Sequence, residues 1–188
     1  MQQKSILVTA PSGAGKTTLV KRLLSEFDFL EFSVSATTRE ARENEVDGVD
    51  YHFISEEVFR AKIEKNEFLE WEEVYGGSFY GTLKSEIDRI HAQNKVPVFD
   101  IDIMGAMSIK KKLCNHVLSI FIAPPNMEVL EERLRNRHTE TEEKIKTRLD
   151  KAHSELKFEN FFDKKVVNDD VDRAYLEFKH LITNYLGL

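Results

Sequence analysis

The segment Ala10-Pro11-Ser12-Gly13-Ala14-Gly15-Lys16-Thr17 follows directly on the apolar run Ile6-Leu7-Val8. A glycine-containing loop ending in Lys-Thr, placed between a strand and a helix, is the pattern of a phosphate cradle. The strand is expected over Ser5 to Ala10 and the helix over Lys16 to Phe27, with Leu19, Leu23 and Leu24 facing inward. Gly13 and Gly15 let the backbone turn so that successive N–H groups converge on an anion, and the start of the helix adds its positive field. Lys16 would reach the β- and γ-phosphates, and Thr17 would place its hydroxyl on Mg²⁺. Ala10 stands where the consensus has a first glycine; it opens the loop and does not line it.

The rest of the chain must supply a sheet for this strand. Val96 to Asp100, Val117 to Ile122 and Lys165 to Val167 read as further strands, the first two as buried parallel ones. Leu83, Ile87 and Ile90 form one helical stripe; Ala174, Phe178, Leu181 and Tyr185 form another. Strands alternating with helices predict an α/β fold. Glu31 to Thr82 breaks that rhythm. It is rich in β-formers and aromatics, with one helix near Glu56 to Asn66, and is expected to form an inserted, mostly antiparallel subdomain. Met127 to Lys151 carries several arginines and few aromatics, as a helical flap would; Ile145, Leu149 and Leu156 mark its second helix.

The net charge of −6 argues against a protein that coats nucleic acid. Basic groups serving anionic ligands must therefore be concentrated locally. Cys114 is the chain's one cysteine, so no internal disulfide is possible and a reducing cytosol is expected. No apolar run approaches the ~20 residues of a membrane span. The six histidines show no metal-binding spacing.

Asp100 and Asp102 follow an apolar strand, where carboxylates beside a phosphate loop are placed to hold Mg²⁺, partly through its waters; capping or turn aspartates are the plainer alternative. Arg39 and Arg42, three apart beyond a strand, can fork onto one phosphate, joined by the hydroxyls of Tyr51 and Tyr80. Glu70 lies among large apolar residues in Phe68-Leu69-Glu70-Trp71, although strand alternation can also turn it outward. Arg133 and Arg137 share a helical face, and Arg148 borders the next apolar stripe; they are either a solvated surface or arginines that close over phosphates.

In series, these segments resemble the guanylate kinase family. The matching stretches are the phosphate loop, Phe32 to Arg39 with Arg42 and Glu45, Gly48 to Phe53, Glu67 to Trp71, Tyr80-Gly81-Thr82, Asp100 to Gly105, Arg133 to Arg137 with Thr139 to Glu142, and Val167 to Asp170. The resemblance implies a parallel-sheet P-loop NTPase core (about 1–34, 83–126 and 152–188), a GMP-binding region (about 35–82) and a lid (about 127–151). It implies Mg²⁺-dependent transfer of a phosphoryl group from ATP to GMP by a cytoplasmic monomer or homodimer that needs neither nucleic acid nor membrane.

By the same resemblance, ATP is held by Ala10, Pro11, Ser12, Gly13, Ala14, Gly15, Lys16, Thr17 and Thr18. Asn168 approaches the adenine and Arg137 stacks on it. Ser35, Glu70 and Thr82 read guanine. Arg39, Arg42, Tyr51 and Tyr80 hold the acceptor phosphate, and Asp100 and Asp102 serve the GMP side. Thr17 and Asp102 hold the metal. Lys16, Arg39, Arg133, Arg137 and Arg148 are the catalytic cations. Thr82 stands where many relatives have serine. Two other readings remain open on sequence alone: a peptide-binding module of the same family without catalysis, and a kinase with a different acceptor.

Overall fold

In the strand Ser5–Thr9 (β1), Ile6 and Val8 point to one side and Leu7 to the other, and all three are fully buried. Both faces of the sheet around it must therefore be covered. The computed structural model, which describes residues 4–74, 77–136 and 141–188, shows how.

From β1 the chain enters helix Lys16–Glu26 (α1) and returns as strand Leu30–Phe32 (β2). Two short strands, Ala36–Thr37 (β3) and His52–Phe53 (β4), precede helix Glu56–Glu64 (α2) and the strands Phe68–Val74 (β5) and Ser78–Leu83 (β6). Helix Lys84–Ala92 (α3), strand Val96–Asp100 (β7), helix Ile103–Leu113 (α4) and strand Val117–Ala123 (β8) come next. Helices Met127–Arg135 (α5) and Glu142–Leu156 (α6), strand Lys164–Val167 (β9) and helix Val171–Leu186 (α7) complete the described chain.

The core sheet is parallel throughout, in the order β2-β7-β1-β8-β9. On one face Ile6 and Val8 pack with Leu19 and Leu23 of α1 and Ala174 and Phe178 of α7. On the other, Leu7, Phe99 and Phe121 meet Ile103, Ala106 and Ile109 of α4. The β1/β7 register sets Val8 opposite Asp100, so the loop after β1 and the acid ending β7 emerge side by side at the carboxyl edge, where parallel sheets bind ligands. One expectation shifts. Glu31 and Phe32 belong to this core and not to the insertion, because Leu30 to Phe32 pair with Val96 to Val98.

The second sheet, β4-β3-β6-β5, is mostly antiparallel; only the two-residue β3/β4 pairing is parallel. It has its own core of Ala36, Phe59, Phe68, Phe79 and Leu83, with the Phe59 and Phe68 rings stacked 4.3 Å apart. Burying each such aromatic contributes roughly 1.5–3 kcal/mol. Glu86, buried at the start of α3, accepts from the Val34 backbone N–H at 3.2 Å and from Arg89. It thereby ties together the two segments that connect the sheets. A fourth cluster, Leu130, Leu134, Ile145 and Ala152, joins α5 to α6.

Candidate active site

Side chains cap the N-termini of α2, α4, α5 and α7. Helix α1 follows Gly15 at its cap position and has no such side-chain cap, which leaves its first N–H groups to an anion. Gly13 and Gly15 have φ of +96° and +95°, which L side chains rarely adopt. They are also hemmed in. A Cβ on Gly15 would lie 2.1 Å from Asn168 Nδ2, and one on Gly13 would lie 3.0 Å from both Leu130 and Leu134. Lys16 Nζ donates to the Ile101 carbonyl at 3.0 Å and is ion-paired with Asp100. Thr9 Oγ1 donates to the same carbonyl at 3.0 Å and so fixes the end of β1 to the loop after β7.

A single cleft of about 580 Å³ runs from this loop to the second sheet. Ala10, Pro11, Ser12, Gly13, Gly15, Lys16, Thr17 and Thr18 line one side; Ser35, Tyr51, Glu70 and Tyr80 line the other; Asp100 and Asp102 lie with them. Asp102 Oδ1 caps α4 by accepting from Gly105 N at 2.9 Å.

Glu70 is only 6% exposed whereas its neighbour Trp71 is 46% exposed, so alternation turns the acid inward. Its Oε1 accepts from the Thr82 backbone N–H at 3.0 Å and from Thr82 Oγ1 at 2.7 Å. Its Oε2 faces Gly105, where a Cβ would lie at 3.1 Å. Burial pushes the Glu70 carboxyl up, and the Thr82 bonds oppose that shift. Thr82 itself is fully buried and does not line the cleft. It stands behind Glu70 and orients it.

Arg39 is already held by protein partners. Its Nη atoms fork onto the Glu45 carboxylate at 2.6 and 2.7 Å, its Nε donates to Tyr80 Oη at 2.9 Å, and its guanidinium lies 5.0 Å from the Tyr51 ring centroid. Glu45 also accepts from Arg42 N at 2.9 Å. The Arg39 fork holds the Glu45 carboxyl down at about 2. The Arg42 side chain is exposed. Burial, then Tyr80, raises the Tyr51 hydroxyl.

On the flap, Arg148 Nη1 donates to Ser12 Oγ at 2.8 Å, touching the phosphate loop. Arg133 is half-buried, and its Nη1 finds no hydrogen-bond partner among the described residues. Arg137 lies outside the described residues. Asn168 does not line the cleft. It is 4% exposed, and its Nδ2 donates to the Ala14 carbonyl at 2.7 Å from behind the loop.

Three cleft-lining charged residues, Glu72, Lys151 and Glu155, have no counterpart in the sequence reading. Burial and then Asp102 push the Glu72 carboxyl up to about 7. Burial likewise raises Glu155. The signal for Glu72 was present: it is two residues beyond Glu70 on the same strand. Lys151 and Glu155 gave none, since on a charged helix they look like solvated surface.

Known proteins agree with this architecture. The family model described as guanylate kinase matches residues 2–185. A guanylate kinase of Porphyromonas gingivalis is 46% identical over 185 residues, covering 98% of each chain. One from Salinibacter ruber is 46% identical over 182 residues, covering 97% of this chain and 96% of its own. The crystal structure of guanylate kinase from Anaplasma phagocytophilum superposes with a TM-score of 0.73 at 28% identity, covering 96% of this chain and 85% of that one. With a parallel P-loop core, a facing antiparallel sheet and full-length relatives of this kind, the chain belongs to the guanylate kinase family of nucleoside monophosphate kinases.

Proposed function

We propose that the protein transfers the γ-phosphoryl group of ATP to the phosphate of GMP, giving ADP and GDP. The observation that carries this reading is the single cleft with a phosphate loop on one wall and the buried acid Glu70 on the other. Guanine presents N1–H and the 2-amino group side by side, and one carboxylate accepts from both. Adenine presents a bare N1 and no 2-amino group, so Glu70 would be left unmatched. Sites built to bond a particular group reject analogues lacking it by ~10⁴ or more.

In this reading the acceptor phosphate lies by Tyr80, Tyr51, Arg39 and Arg42, and the ATP phosphates lie on the loop from Ala10 to Thr18. The attacking phosphate oxygen is already anionic, so no strong general base is needed. The chain aligns donor and acceptor, neutralises charge with Lys16, Arg133, Arg137 and Arg148, and excludes water that would otherwise accept the phosphoryl group. The acceptor region, about 35–82, and the lid, about 127–151, act as mobile walls that close over the two nucleotides.

The donor set also fits a hard cation. Thr17, Asp100 and Asp102 offer only oxygen, and among the described residues no group of three or more His, Cys, Asp or Glu is arranged to hold a metal by itself. Mg²⁺ is commonly held by one or two carboxylates together with substrate phosphates. Bound there, it supplies charge neutralisation for the transferring group. A cytoplasmic site of action fits the exposed free thiol of Cys114. ADP release measured over a panel of GMP, dGMP, AMP and non-nucleotide acceptors tests the reading; a rate with AMP equal to that with GMP would sink it.

A further inference from the structure

Glu70 and Glu72 both line the cleft, while Trp71 and Glu73 are exposed on the other face of β5. Strand geometry sets the two acids roughly 7 Å apart on one surface. Their surroundings differ. Glu70 is bonded by Thr82. Glu72 Oε2 is buried with no hydrogen-bond partner among the described residues, and the Glu72 carboxyl lies in hydrogen-bonding contact with another acid, Asp102. In a cleft that admits two polyanions, two adjoining acids disfavour both ligands unless a cation offsets them.

A cation stands within reach of the same space. Lys151 lines the cleft from α6, about one helical turn beyond Arg148. Its side chain is 67% exposed and makes a loose 3.6 Å contact to Glu155, four residues on. The contact is longer than a hydrogen bond, and although Glu155 is largely buried, the Lys151 end of the pair lies in solvent. Little therefore holds Lys151 where it is.

We infer that Glu72 and Lys151 pair across the cleft when both nucleotides are bound, fastening the acceptor-side sheet to the helix that carries Arg148. The pairing gives the buried Glu72 oxygen a cation and holds the Arg148 helix, which already touches the phosphate loop, over the donor. It rests on the two-nucleotide reading above and adds two positioning residues to it; neither side chain touches the reacting atoms.

A double-mutant cycle tests the pair. Glu72→Gln, Lys151→Gln, the double variant and the swapped Glu72→Lys/Lys151→Glu protein are compared in kcat/KM for GMP at saturating ATP. Each single variant is expected to lose about five- to tenfold, the double variant no more than either single, and the swap to regain most of the loss. Losses that multiply in the double variant, or a swap no better than the double, would overturn the pair. A wild-type protein inert toward GMP in the same assay would remove the acceptor reading and the pair with it.

Discussion

Thr82 donates twice to one oxygen of Glu70, from its backbone N–H at 3.0 Å and from its hydroxyl at 2.7 Å, and the second oxygen is left facing Gly105 at the start of α4. A carboxylate fixed in this way is pre-organised before any ligand arrives. Glu70→Ala is expected to lower kcat/KM for GMP by about 10²-fold or more, the value of two charge-assisted hydrogen bonds. The KM for ATP should stay within about twofold, since no donor-side group is touched. Steady-state kinetics with each substrate varied decides it; an unchanged KM for GMP would count against the base-reading role.

Lys16 is the one basic side chain that both lines the cleft and sits in the phosphate loop. Lys16→Ala is expected to cut kcat by ~10²–10³, the range for loss of one transition-state cation or donor. Far-UV circular dichroism should be unaltered. Wild-type turnover in this variant would refute the assignment of the loop.

Phe59 is fully buried in the small core of the second sheet, away from the two large clusters of the parallel sheet. Phe59→Ala is expected to cost about 3–5 kcal/mol. Because that core is separate, the damage should fall on GMP binding before ATP binding. Urea denaturation with calorimetric titration of each nucleotide checks it; equal loss of both affinities would mean the two sheets do not behave as distinct units.

The Arg39–Glu45 pair makes a pH prediction. The Glu45 carboxyl is lowered from an ordinary 4.5 to about 2, chiefly by the Arg39 hydrogen bonds. A group depressed on folding contributes stability that is fully present above the unfolded value and lost as pH falls toward the folded one. Between about pH 4.5 and about pH 2, stability should therefore fall more steeply in the wild type than in Glu45→Gln. Denaturation curves across that window measure the slopes; parallel slopes would show that the pair carries no proton linkage.

Asn168 bonds the Ala14 carbonyl and abuts Gly15. A residue that braces the loop affects every ligand the loop holds. Asn168→Ala is expected to weaken ATP, GTP and inorganic tripolyphosphate by a similar factor of about three- to tenfold, the value of one hydrogen bond. A loss confined to ATP, measured by competition binding, would instead favour a role in reading adenine.

The features legible in the sequence were those written locally. The phosphate loop is contiguous, and the apolar runs of β1, β7 and β8 declare strands covered on both faces. Glu70 was legible only as a choice between inward and outward; its pairing opposite Thr82 in β6 decided it. Strands of two residues, such as β3 and β4, leave no period to read. Thr82 and Asn168 resemble ligand contacts in sequence; in the fold Thr82 bonds Glu70 and Asn168 bonds the Ala14 carbonyl, contacts between segments too far apart in the chain for the sequence to display. Lys151 and Glu155 enter the cleft only through the placement of α6.

The resting contact between Lys16 and Asp100 has a last consequence. An ammonium carries three N–H donors, and here two partners, a carboxylate and the Ile101 carbonyl, already engage it. A lone inorganic phosphate must compete with that internal anion for the same lysine, with few other contacts to help it. A triphosphate can spread along the whole loop and win the exchange. The Lys16–Asp100 pair thus favours a polyphosphate over a single phosphate at this loop.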